Sequence, residues 1–157
     1  MSTLVLGIGN SLLTDEGIGV HVVAVLRHHY GTLPGVEYLD GGTLSYTLAD
    51  DIARARNLIV VDAARMGEAP GTLKCFLDQD MDRYLLAAHG SVHEVGLGDL
   101  LDIARLTDTL PVRRAMIGIE PESLDWGERP TPRVAEAIEP AARQILALLQ
   151  QWNEKDY

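Results

Sequence analysis

The run NLIVV at residues 57–61 restricts the fold more than any other stretch of this chain. Four consecutive aliphatic side chains, three of them β-branched, do not suit a sheet with one face in water. Such a run belongs to a central parallel strand covered on both faces, here ending at Asp62. Parallel strands need long crossovers, so helices must alternate with strands and pack on both sides of the sheet. The remaining segments fit that demand. Residues 3–8 (TLVLGI) read as a buried strand, and 16–30 as a helix stopped by Gly31 with Pro34 beyond. Residues 36–39 form a second strand closing on Asp40-Gly41-Gly42, and 44–56 a helix with Thr43 as N-cap and Ile52 and Ala55 on its apolar stripe.

Further strands are expected at 72–77 and 113–119, giving five, and a helix at 97–106. Residues 81–96, broken by Gly90 and Gly96, read as a loop with a short helical piece, and polar 122–130 as a surface loop. Thr131-Pro132 starts the closing helix, whose buried face is Val134, Ile138, Ile145, Leu146 and Leu149. Pro140 is expected to kink or split it. The expected architecture is therefore α/β, a mostly parallel sheet with right-handed crossovers. A length of 157 residues suits one domain, 1–157.

Charge removes several function classes. Lys and Arg number 13 against 23 Asp and Glu, a net charge of −10, which repels phosphate backbones and anionic lipid. Neither nucleic acid nor a membrane is an expected partner. No apolar run reaches the roughly 18 residues of a membrane span, and no positively charged n-region opens the chain. The lone Cys75 cannot form an intramolecular disulfide, which suits a reducing compartment, so a soluble cytoplasmic protein is expected, with monomer as the default state.

Ligands of open α/β sheets bind outside the carboxyl ends of the strands. Four acids fall near those ends: Glu16, Asp40, Asp62 and Glu120. Carboxylates gathered at one edge repel and raise one another's pKa, so the pattern suggests a site that needs oxygen ligands. The alternative is that they serve the N-termini of the following helices.

The turn Gly7-Ile8-Gly9-Asn10-Ser11-Leu12 lacks the third glycine of a dinucleotide fingerprint, and Asp15 and Glu16 would stand beside any pyrophosphate. Gly7 and Gly9 are expected to bend the loop so that Glu16 faces across the sheet edge. Among the histidines, His21, His28 and His29 read as surface residues of the first helix. His93 reads as a single ligand on a glycine-flanked loop, since His93-Glu94 lacks the second histidine of a zincin. Glu16, Asp62 and His93 together would form an N/O site suited to Ni, Zn, Fe or Mn. Ser11 and Ser91 lack a nucleophile elbow, and Cys75 reads as a core residue. Asp40-Gly41-Gly42-Thr43 has no second copy from which to build an aspartic-protease dyad.

Several blocks come in order: Gly7-Ile8-Gly9-Asn10 through Asp15-Glu16-Gly17-Ile18-Gly19, Asp40-Gly41-Gly42-Thr43, Val61-Asp62-Ala63, Ser91-Val92-His93-Glu94 and Gly118-Ile119-Glu120-Pro121. In this the chain resembles the hydrogenase maturation endopeptidases, which trim the C-terminal extension of the nickel-iron hydrogenase large subunit. The resemblance spans residues 4–121 and implies a three-layer α/β/α sandwich with a twisted, mostly parallel five-stranded sheet. It implies a metal-contacting trio at Glu16, Asp62 and His93, and a functional role for Asp40. It also implies no permanent metal and no organic cofactor: the nickel is supplied by the partner, the large-subunit precursor, and is sensed before the cut. On that reading Glu16, Asp62 and His93 lend ligands to the precursor's nickel. The general base is Asp40 or a spare carboxylate of Glu16 or Asp62. The carboxyls of Glu16 and Asp62 should repel, so that at least one titrates high. Two rivals are a nickel-binding checkpoint that does not cut and a nucleotide-binding α/β domain.

Overall fold

The computed structural model describes residues 2–87 and 96–155. Five strands form one sheet in the order β2-β1-β3-β5-β4: β1 (Thr3–Ile8), β2 (Val36–Gly42), β3 (Asn57–Ala63), β4 (Leu73–Leu77) and β5 (Arg113–Ile119). The first four in that order are mutually parallel, and β4 runs antiparallel to β5 at the edge. β3 lies between β1 and β5, and its residues 57–61 are all buried, as the NLIVV run demands.

Among the described residues six α-helices flank the sheet: α1 (Ile18–Tyr30), α2 (Leu48–Arg54), α3 (Asp78–Ala87), α4 (Leu97–Leu106), α5 (Pro132–Ala135) and α6 (Ile138–Glu154). Side chains alternate across a strand, and the two faces build two cores. On one, Val5, Ile59, Val61 and Ile117 meet Val22 and Leu26 of α1 and Ile145, Leu148 and Trp152 of α6. On the other, Leu6, Leu58, Val60 and Met116 meet Ile52 of α2, Met81 of α3 and Leu100 of α4. This is the three-layer α/β/α arrangement with a mostly parallel sheet.

Several boundaries differ from the sequence reading, each for a physical reason. The first helix begins at Ile18, preceded by a 3₁₀ turn at Thr14–Gly17, so Glu16 sits in that tight turn. Gly7 is a strand residue, not a turn residue. A Cβ there would lie 2.5 Å from the Gly19 carbonyl oxygen, so its missing side chain lets α1 press against β1. The bend is made by Gly9 alone, at φ +134. β2 and β3 both run past their expected ends, because pairing continues through Gly7–Asp40 and Asp62–Gly118. Asp40 and Asp62 are thus strand residues.

Leu44 is buried before α2 starts at Leu48, and Thr43 does not cap that helix. Residues 78–87 are helical where mostly loop was expected. Only Met81 of α3 is buried, too thin an apolar stripe to read as a period. Ion pairs tie α3 down instead: Asp82 takes Arg114 of β5 at 2.6 Å and Arg105 of α4 at 3.0 Å. The closing helix does divide, but between α5 and α6, so that Pro140 falls in the first turn of α6. There its missing N–H has no partner to lose. Val134 and Ile145 are fully buried as expected, whereas Ile138, Leu146 and Leu149 are only half-buried. The rest of the expected loop, residues 88–95, lies outside the described residues.

Candidate active site

At the carboxyl edge of the sheet a cavity of about 1030 Å³ opens between the strand ends, α3 and α4. Glu16 and Asp62 both line it, with Arg65, Tyr84 and the apolar Leu44, Leu101, Met116 and Leu124.

Glu16 is 7% exposed, and the Asn10 N–H donates to its Oε2 at 2.6 Å. Gly9 makes that approach possible: a Cβ there would lie 1.9 Å from the Glu16 carbonyl oxygen. Asp62 shares the face of Leu58 and Val60, and the same alternation turns it into the cavity. Part of Asp62 remains accessible, yet the surrounding protein withdraws its charge from bulk water. Its pKa is held well above the usual carboxylate range by this burial first, and by the charge of Glu16 second; a backbone hydrogen bond from Ala63 partly offsets both. The expectation that one carboxyl of the pair titrates high is met at Asp62. Tyr84, stacked on Phe76 with ring centroids 4.4 Å apart, also titrates high, through burial and then the charges of Asp62 and Glu120.

The other two acids do different work. Both oxygens of Glu120 accept the Met66 N–H, at 3.1 and 3.0 Å, and Oε1 takes the Glu68 N–H at 2.7 Å. Glu120 thus clamps the loop that follows β3 and leaves the cavity to the other pair. Glu120→Gln is expected to lower Tm by about 2–5 °C, since charge-assisted hydrogen bonds outweigh neutral ones by about 1 kcal/mol. A melting curve checks this. Catalysis in the same variant should stay within about threefold of wild type, as expected of a group outside the reaction.

Asp40 is exposed on the edge strand β2, where its Oδ1 accepts the Gly42 N–H at 2.8 Å. The residues before it alternate regularly, Tyr38 packing on the face covered by α1 and α6 and Leu39 on the Asp62 face. Alternation therefore turns Asp40 to the opposite face, and it does not line the cavity. His93 lies outside the described residues. Among the described residues no group of three or more His, Cys, Asp and Glu side chains is placed to hold a metal. Of the expected trio, Glu16 and Asp62 line one cavity.

Sequence reasoning missed Asp15. Its carboxylate is fully buried and accepts four hydrogen bonds, from the N–H groups of Glu122, Ser123 and Thr131 and from the Thr131 hydroxyl, at 2.7 to 2.9 Å. Acid beside acid in Asp15-Glu16 was the one available signal, and it was read only as a bar to pyrophosphate. That reading agrees with the turn: α1 opens at Ile18, after both carboxylates, so no helix N-terminus faces the glycine loop directly. Cys75 is half-buried on β4, and burial pushes its thiol pKa up, away from a nucleophilic thiolate. His28 and His29 are exposed on α1; His21, half-buried there, is pushed down by burial.

The layers and the acid pair define an α/β/α protein whose site sits at the carboxyl edge of its sheet. Comparison with known proteins narrows the class. A family model described as hydrogenase maturation protease (HycI) matches residues 20–148. The chain is 41% identical over 152 residues to the hydrogenase 2 maturation protease of Escherichia coli K12, covering 96% of this chain and 92% of that protein. It is 39% identical over 151 residues to the hydrogenase expression/formation protein HupD of Thiocapsa roseopersicina, covering 96% and 68%. The solved structure of the hydrogenase maturating endopeptidase HybD from Escherichia coli superposes with a TM-score of 0.90 at 41% identity, covering 96% of this chain and 93% of that one. This chain belongs to the hydrogenase maturation protease family and is a peptidase. The non-cutting checkpoint is thereby set aside.

Proposed function

We propose that this peptidase removes the C-terminal extension of a nickel-iron hydrogenase large-subunit precursor after nickel insertion, acting as a monomer in the cytoplasm. The observation that carries the reading is the pair Glu16 and Asp62 at one cavity, with the Asp62 carboxyl held protonated beyond its usual range. A cation arriving there relieves the repulsion between the two and releases that proton, so the pair is built to receive positive charge brought by the substrate. His93 is the proposed third contact. On this reading the nickel belongs to the substrate, and the peptidase keeps no resident metal or organic cofactor of its own.

The scissile bond lies across the cavity mouth. Nickel bound in the precursor can polarise its carbonyl. Whichever carboxylate oxygen of Glu16 or Asp62 is not engaged by the ion accepts the proton of the attacking water. Asp40, exposed on the other face of β2, is proposed to contact the precursor from the rim instead of serving as the base.

The test is a cell-free assay with purified precursor in nickel-loaded and nickel-free forms. Gel mobility and mass of the large subunit are the readouts. A shortened product from the loaded form alone is expected. No shortening of either form rejects the processing reading, and equal shortening of both rejects nickel recognition.

A further inference from the structure

Residues 122–129 (ESLDWGER) stand apart from the rest of the surface. Trp126 is 81% exposed, whereas the other tryptophan, Trp152, is packed in the core. An indole left in water at the tip of a well-anchored loop contributes nothing to folding, and tryptophan on such a surface is the commonest anchor of protein interfaces.

The loop is held at many points. Thr14 N–H donates to the Gly127 carbonyl and Gly127 N–H to the Leu12 carbonyl, both at 2.8 Å. The Thr14 hydroxyl donates to the Ser123 carbonyl at 2.6 Å, and Asp15 takes both N–H groups at the base of the loop. A tip ordered in advance loses little freedom on binding. Exposed Leu12 is drawn alongside by the same ladder. Leu124, two residues before the indole, lines the cavity that holds Glu16 and Asp62. A segment lying over Trp126 therefore reaches the cavity without leaving the loop.

Charge identifies the occupant. Within four residues of Trp126 in the chain, Glu122, Asp125 and Glu128 are exposed, with Arg129 the one cation of the loop. An exposed aromatic face on an acidic loop attracts a guanidinium or ammonium group and repels acidic or phosphorylated chains. A second copy of this chain, at net charge −10, is repelled as well.

We propose that loop 122–129 is a docking surface for the hydrogenase precursor, with the Trp126 indole receiving a lysine or arginine side chain whose charge Glu122, Asp125 and Glu128 of the same loop favour. The proposal rests on the processing activity set out above.

The experiment measures processing kinetics and binding of the nickel-loaded precursor. It compares wild type with Trp126→Ala, Trp126→Phe and the triple variant Glu122→Gln/Asp125→Asn/Glu128→Gln. Trp126→Ala should raise KM and Kd about tenfold with kcat within about twofold, and Trp126→Phe should fall between. The triple variant should weaken association most at low salt. Absence of shortening by wild type rejects the processing reading. Normal shortening with unchanged KM and Kd in Trp126→Ala rejects the docking surface alone. A change of oligomeric state in Trp126→Ala would assign the face to a second copy and overturn the proposal.

Discussion

Asp62→Asn is expected to make the protein more stable near neutral pH and to remove its processing activity. The carboxyl is surrounded by protein and faces Glu16, so its pKa in the folded chain lies well above the unfolded value. Between those two values the folded state holds a proton that the unfolded state has released. Stability therefore falls as pH rises through that window. Asparagine is neutral throughout and escapes this penalty. Its Tm should exceed that of wild type by a few degrees at pH 7–8, each 1 kcal/mol corresponding to about 2–4 °C in a chain this long. The advantage should vanish below about pH 4, where an ordinary aspartate is also protonated. Over the same comparison, trimming of the nickel-loaded precursor should drop at least about 100-fold, the usual loss for a group that handles a proton or a charge in the reaction. Melting curves across pH and a processing time course check both halves. A variant that is less stable at pH 8, or that trims normally, would contradict the placement of Asp62 in a functional pair.

The second large effect is expected at Asp15, and it is structural. Asp15→Ala leaves the N–H groups of Glu122, Ser123 and Thr131 and the Thr131 hydroxyl without their acceptor. Stranding the partners of a buried charged group costs about 3–5 kcal/mol, or a fall in Tm of about 10 °C or more. Amide hydrogen exchange should accelerate first at 122–131. Trimming should fall too, because Asp15 and Glu16 share one 3₁₀ turn. Asp15→Asn restores the shape but turns an amide N–H₂ toward N–H donors, so it should lie between alanine and wild type. Unchanged exchange at 122–131 in the alanine variant would show that the loop does not depend on this carboxylate.

The contrast between these residues explains what was legible beforehand. β1, β5 and α4 were readable because each is an apolar run bounded by turn residues, and their limits agree with the observed elements. Asp62 stands out because it follows the most constrained apolar run of the sheet, residues 57–61. Asp40 and Glu120 looked equivalent to it in a list of strand ends. Side-chain direction and hydrogen-bond partners separate them, and a single residue of strand is enough to reverse a direction. For 81–96 the sequence shows only a loop with a short helical piece, and the start and length of α3 are not legible because ion pairs with Arg114 and Arg105 take the place of an apolar stripe. The Asp15 contacts span 107 to 116 residues, and no local period announces so distant a partner. The Thr43 cap and the Pro140 break each failed by a few residues, where burial of Leu44 and the first-turn tolerance of proline outweighed local preference.

The anchors of the 122–129 loop are almost all main-chain groups: the amides of Glu122, Ser123 and Gly127 and the carbonyls of Ser123 and Gly127. Of its outward side chains only the Ser123 hydroxyl helps fix the loop's shape, by receiving the Asp125 N–H. The lettering of the tip can therefore be rewritten by mutation while the neighbouring Glu16 stays where it is. A descendant of this chain can change which protein it serves without relearning how to cut.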